Sequence, residues 1–150
     1  MEISNKNILV PLSSSINSQS VIEFLLDLSL CPDKWNIYLF HLYRKPLESE
    51  ELMGQKFTKE QPSRRMAMLE KAKAKLIEGG FLPQNIDIEL VDEHYPTIAD
   101  GIIDQFDKRQ FEMVVIGRKR MSKAEEFVMG DISIKLVRAL DKTAILVVKL

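Results

Sequence analysis

Residues 7–43 read NILVPLSSSINSQSVIEFLLDLSLCPDKWNIYLFHLY, and the succession of patterns inside them decides the fold. Asn7 to Leu12 is a short apolar run rich in branched side chains that ends on Ser13, Ser14 and Ser15. Such a run, bounded by small polar residues, is a buried strand leading into a loop. After Asn17 the apolar residues Val21, Phe24, Leu25 and Leu28 fall at i, i+3, i+4 and i+7, the spacing of one helix face, and Pro32 stops the helix. Asn36 to Tyr43 returns to strand chemistry.

The same alternation continues to the end of the chain. Residues 44–61 have no clear period, hold Pro46 and Gly54, and are longer than most connections inside a domain, which makes them the candidate lid. From Pro62 the pattern is helical through Met68, Leu69, Ala72 and Leu76, with Gly79 and Gly80 placed as a left-handed stop. Ile86 to Val91 alternates as a strand. Thr97 caps a helix with Asp100 three residues on, and Ile98, Ile102, Ile103 and Phe106 are its expected apolar face. Glu112 to Gly117 is a fourth strand, Asp131 to Leu140 a helix with Ile132, Leu136 and Val137 inward, and Thr143 to Lys149 a last strand. The order βαβαβαβαβ implies a doubly wound, five-stranded, mostly parallel α/β sheet covered by helices on both faces. Val10, Leu39, Val115 and Val147 are its expected core residues. No repeat or linker divides residues 1–150, so one domain is expected.

Composition excludes several function classes. With 45% hydrophobic and 29% charged residues the chain is globular rather than disordered. Its 21 Lys and Arg against 22 Asp and Glu leave a net charge of -1, which offers no broad attraction to nucleic acid or anionic lipid. Cys31 is the single cysteine, so no internal disulfide is possible; no cluster of Cys and His stands at zinc spacing, and a reducing, cytoplasmic location is expected. The apolar run after the polar start breaks at Ser13, too soon for a secretory core or a membrane span.

Ligands of such sheets bind outside the carboxyl ends of the strands, where the strand order reverses. The loop leaving the fourth strand, GRKRMSKAEEFVMGDIS at Gly117 to Ser133, is the most informative there. A Gly leaving the strand and a Gly entering the next helix let backbone N–H groups approach an anion at the helix's positive end. This loop resembles that of the universal stress proteins, whose phosphate loop reads Gly, two residues, Gly, nine residues, Gly, then Ser or Thr. Here Gly117 stands first, Arg120 takes the second Gly's place, and Gly130 follows after nine intervening residues. Asp131 takes the hydroxyl's place, and Ser133 matches a further small hydroxyl residue. ILVPLSSS is similar to the family's opening, with Ser13 for its Asp and Ser14 for its Gly, and FHLY at Phe40 to Tyr43 resembles its second-strand His-Val signature.

The resemblance implies a Rossmann-like sheet of the adenine nucleotide alpha hydrolase type in the order 3-2-1-4-5. It also implies a homodimer through the last strand and, in some members, bound ATP or AMP. Carried over residue by residue, the base and ribose contacts fall on Ser13 and Leu42, and the phosphate contacts on Gly117, Gly130, Asp131 and Ser133. Arg120 either blocks a backbone shape that needs Gly or clamps a phosphate with its guanidinium. Ser13 keeps a hydrogen bond to ribose without a carboxylate's acceptor strength. An Asp131 carboxylate about 4 Å from a phosphate costs on the order of 4 kcal/mol at an effective dielectric of 20, about half the free energy of a micromolar complex. Asp131 either caps its helix and fills the anion site from within, or bridges to phosphate through Mg²⁺. The expectation is a non-catalytic regulatory or stress-response module, with an unidentified protein partner, whose adenine nucleotide binding is weak, metal-dependent or absent. The alternative is an ATP-binding member with slow hydrolysis or self-phosphorylation at Ser122 or Ser133.

Other features carry blander readings. His41 lies inside a strand and reads as a packed residue, and His94 stands beside Tyr95 and Pro96 at the ligand end. Neither has a second metal-type residue at i+4, and no metal site is expected. The three serines match neither a nucleophile elbow nor a Walker loop. Lys71, Lys73 and Lys75, interleaved with Glu70 and Glu78, read as a solvated helix face. Arg118, Lys119, Arg120 and Lys123 suit an anion or pair with Glu125 and Glu126.

Overall fold

The structure, a computed structural model, describes residues 5–13, 15–42, 55–93, 95–118, 123–124 and 132–150. The strands are β1 (Lys6–Pro11), β2 (Trp35–Leu42), β3 (Ile86–Val91), β4 (Met113–Arg118) and β5 (Ala144–Lys149). The helices are α1 (Ser15–Asp27), α2 (Gln55–Glu78), α3 (Ile98–Asp107) and α4 (Ile132–Ala139). The strands form one sheet in the order β3-β2-β1-β4-β5, and every pair in it is parallel. This is the expected fold and strand order, with β1 and β4 adjacent.

Alternation along each strand builds two apolar layers. Ile8, Val10, Leu12, Ile37, Leu39, Ile86, Val115 and Val148 join Val21, Ile22 and Leu25 of α1 and Leu69, Ala72 and Leu76 of α2 on one face. Leu9, Phe40, Val91, Val114 and Ile116 join Phe111, Ile102 of α3, and Leu136 and Leu140 on the other. Residues one apart on a strand face opposite sides, so consecutive apolar residues such as Ile8, Leu9 and Val10 feed both layers.

The helix boundaries and faces differ from the sequence reading in instructive places. α2 begins at Gln55, seven residues before Pro62, so the tail of the candidate lid is helix; residues 43–54 lie outside the described residues. Apolar periodicity reports which face is buried, not whether the backbone is helical, and Gln, Lys and Glu are good helix formers without it. In α1, Val21 and Leu25 are buried with Ile22, while Phe24 and Leu28 are exposed. In α3 the buried set is Ala99, Gly101, Ile102 and Gln105, and Ile98 is 55% exposed. In α4, Ser133 and Leu136 face inward, while Ile132 is exposed and Val137 is 62% exposed. Each of these helices has apolar residues on more than one side, so spacing alone left the inward stripe open.

Val10, Leu39 and Val115 are fully buried as expected. Val147 is only half-buried, and its neighbour Val148 is the enclosed residue, because β5 lies at the sheet edge where cover is incomplete. The helix ends predicted at Thr97 and at Gly79 and Gly80 are present. The Thr97 hydroxyl oxygen accepts from the Asp100 N–H at 3.2 Å and its O–H donates to the Asp100 carboxylate at 2.6 Å. Gly80 has φ +110; its N–H donates to Ile77 O and the Phe81 N–H to Leu76 O, the paired bonds of a Schellman stop.

Candidate ligand site at the carboxyl ends of the strands

β1 sits between β2 and β4, so the chain crosses one way to β2 and later returns on the other side to β4. That reversal opens a crevice above the carboxyl ends of these strands. Ser13 emerges from β1 into it and is exposed; its Oγ accepts from Asn17 Nδ2 at a long 3.5 Å. Leu42 ends β2 and is half-buried. A Cβ added to Gly101 of α3 would stand 2.5 Å from Leu42 Cδ1 and 3.0 Å from Tyr95 Cδ2, so the Leu42 side chain is packed under α3.

Gly117 lies next to last in β4. A Cβ there would stand 2.9 Å from Val21 Cγ2 and 3.4 Å from Leu150 Cδ1, so this glycine lets β4 approach α1. Ser133 is buried in the first turn of α4. The structure therefore brings Ser13, Leu42 and Gly117 to neighbouring strand ends. Arg120, Gly130 and Asp131 lie outside the described residues, as do Ser14, Ser122 and His94.

The most unusual polar group at this end is His41. β2 pairs with β3 through Leu42 but with β1 only as far as Phe40. The Leu12 N–H still bonds Phe40 O at 2.8 Å, and then β1 peels away. The Leu12 carbonyl is taken instead by the His41 ring, whose Nδ1 lies 2.5 Å from it. The other ring nitrogen, Nε2, faces a guanidinium nitrogen of Arg65 on α2. A carbonyl only accepts and a guanidinium only donates, so Nδ1 carries the proton and Nε2 is bare. The ring is neutral: burial holds its pKa below 6.5, the Leu12 carbonyl opposes that, and the nearby Arg65 charge lowers it further.

Sequence reasoning placed His41 correctly as packed but missed Arg65. Its position held a clue, since Arg65 stands four residues before Leu69 and so extends the buried stripe of α2 by one turn. Tyr95 was also passed over. Its hydroxyl lies 2.6 Å from Glu93 Oε2 and 2.5 Å from Asp104 Oδ2. Desolvation and these two carboxylates push the phenol above its usual value of 10, so Tyr95 stays a neutral donor that ties the β3 loop to α3.

A family model described as the universal stress protein family matches residues 4–149. The chain belongs to the universal stress protein family. A search of curated protein sequences finds no match. Among solved structures, the chain is similar to universal stress protein UspA from Lactobacillus plantarum, with a TM-score of 0.70, 12% identity, and 98% of this chain and 99% of that one covered. It is also similar to a universal stress protein solved with cAMP, with a TM-score of 0.63, 13% identity, and 98% of each chain covered. A universal stress protein from Archaeoglobus fulgidus solved with dAMP has a TM-score of 0.56, 16% identity, and 97% of this chain and 98% of that one covered.

At these identities the shared property is the universal stress protein fold. Ser13 and Leu42, on which the expected ribose and base contacts fall, are among the described residues. Ser13 is exposed at the strand-order reversal, and the half-buried Leu42 packs under α3. Among the described residues no helix is long and apolar enough to cross a membrane.

Proposed function

We propose that this universal stress protein is a non-catalytic regulatory module that takes an adenine nucleotide, ATP or AMP, at the carboxyl ends of β2, β1 and β4. The observation that carries the reading is the exposed Ser13 hydroxyl at the reversal between β1 and β4, beside the end of β2. The cAMP and dAMP bound by proteins of the same fold support it. Ser13 bonds the ribose and Leu42 lines the base. Gly117, Gly130 and Ser133 frame the phosphates, where Arg120 and Asp131 set the affinity through opposite charges. Binding is weak without metal, and Mg²⁺ bridges Asp131 to phosphate oxygens if metal is used. The whole of residues 1–150 acts as one domain, pairs with a second copy along β5, and works in the cytoplasm, where the free Cys31 thiol stays reduced.

ATP binding with slow hydrolysis or self-phosphorylation at Ser122 or Ser133 is the alternative reading. Calorimetry with AMP and ATP, with and without Mg²⁺, tests the proposal on the wild type and on Arg120→Gly and Asp131→Ser made singly and together. Removing the carboxylate is expected to strengthen metal-free binding by up to about 4 kcal/mol and to abolish any Mg²⁺-dependent part. Tight metal-free ATP binding by the unmodified chain would overturn the role given to Asp131.

A further inference from the structure

We propose that His41 and Arg65 form a proton-controlled latch that positions Leu12 and Ser13, and through them the ribose side of the ligand site. The proposal's link to a ligand rests on the nucleotide reading above; the latch itself does not. Two buried stripes converge to build it. Along β2 the inward residues on the α1 and α2 face are Ile37, Leu39 and then His41, and along α2 they are Leu76, Ala72, Leu69 and then, one turn earlier, Arg65. Both stripes turn polar at the carboxyl end of the sheet, and there the guanidinium meets the imidazole.

The latch spans three elements. The ring N–H holds the Leu12 carbonyl at the point where β1 leaves the sheet, and Ser13 is the next residue. The bare ring nitrogen receives Arg65, which anchors the ring to α2. Protonation of the ring converts that acceptor into a second donor facing a guanidinium, so the α2 contact becomes repulsive while Nδ1 keeps its proton. Arg65 is the charged group acting on the ring among the described residues. The β1 side offers the Leu12 carbonyl, β3 offers its register partner Leu90, and the first turn of α1 holds no acidic residue. Burial disfavours the charged ring, so acidification drives His41 away from α2 and lets Leu12 and Ser13 shift with it.

Two substitutions separate the arms of the latch. His41→Asn keeps a donor where Nδ1 lies and removes the acceptor where Nε2 lies, and His41→Gln supplies an acceptor nearer Arg65; neither titrates. Nitrogen NMR of the wild type is expected to show the Nδ1–H tautomer at neutral pH and a ring midpoint below 6.5. The Ser13 backbone amide resonance is expected to move with that same midpoint, and to stay still in both variants. Adenosine is the ligand probe because it carries no group that titrates in this window. Its affinity for the wild type should be halved where the pH reaches the ring's own midpoint and go on falling below it, following the fraction of neutral ring. It should vary little with pH in His41→Asn and His41→Gln. A His41 ring charged at neutral pH, or bearing its proton on Nε2, overturns the latch, as does a Ser13 amide that moves unchanged in the variants. Adenosine binding with one pH profile in all three proteins overturns the link to the ligand site. If adenosine binds none of them, the nucleotide reading fails, and the tautomer and the Ser13 resonance alone decide the latch.

Discussion

His41 and Gln105 are both buried polar residues, yet they are solved differently. His41 has a partner on each ring nitrogen, whereas neither amide atom of Gln105 finds a hydrogen-bond partner among the described residues. A neutral His41 ties the folded state to pH. Its proton is held less tightly folded than unfolded, so as pH falls the unfolded chain takes up the proton first. The stability it contributes is complete above about 6.5 and is lost as pH falls through the lower folded value. Urea midpoints of the wild type are therefore predicted to drop between about pH 7.5 and about pH 5.5, a window above the ordinary carboxylate range, and to vary less in His41→Asn. An equal drop in that variant would assign the effect to other groups. For Gln105 the prediction has the opposite sign. Gln105→Met keeps the length of the side chain and removes two desolvated polar atoms, so it should stabilise the fold by on the order of 1 kcal/mol. A lower denaturation midpoint in Gln105→Met would mean that the amide is satisfied after all.

At the scale of elements, close approach and helix ends rest on single glycines. β4 reaches α1 over Gly117, where a methyl group would press on Val21 Cγ2 at 2.9 Å, and a β-branched side chain cannot swing away freely. Gly117→Ala is predicted to cost roughly 1–3 kcal/mol. Val21→Ala in the same chain should recover part of that, so that the double variant loses less than the two singles added together. Strict additivity in denaturant unfolding would show that the two residues do not press on one another. Gly80 ends α2 at φ +110, and Gly80→Ala is expected to cost about 1 kcal/mol through the strained backbone. Much of this scale was legible beforehand: the stop at Gly79 and Gly80, the Thr97 cap and the order of strands and helices. The start of α2 was not, because a helical stretch without an apolar period leaves no periodic trace, and the inward stripes of α1, α3 and α4 were not, because apolar residues occupy several of their sides.

For the molecule as a whole, β5 is an edge strand with one side unpaired by β4, and its run AILVVK is apolar. Edges of this composition invite pairing with another strand, and a second copy related by two-fold symmetry would supply one. The exposed Ile134 and Val137 of α4, the helix packed on β5, extend the apolar surface beside it. Light scattering at micromolar concentration is predicted to find a dimer, and Val147→Lys to shift it to monomer while circular dichroism keeps the helix and strand content. A wild-type monomer, or a dimer indifferent to Val147→Lys, would reject pairing along β5. In the same view, the two apolar layers on opposite faces of the sheet account for a chain in which nearly every strand carries consecutive branched residues.

From the residues in order came the parallel α/β class and the family resemblance that residues 4–149 bear out, and it was that resemblance which implied the strand order. Those properties rest on local patterns, on the handedness of crossovers and on motifs contiguous in the chain. Only the folded chain decided that Leu42 packs under α3, that Gly117 is needed against Val21, and that Val147 is half-buried while Val148 is enclosed. It alone joined His41 to Arg65, 24 residues away, and to Leu12, 29 residues away. No local pattern encodes such a pairing. It arises because a strand and a helix, each following its own period, reach the same end of the sheet with a polar residue next in line on both.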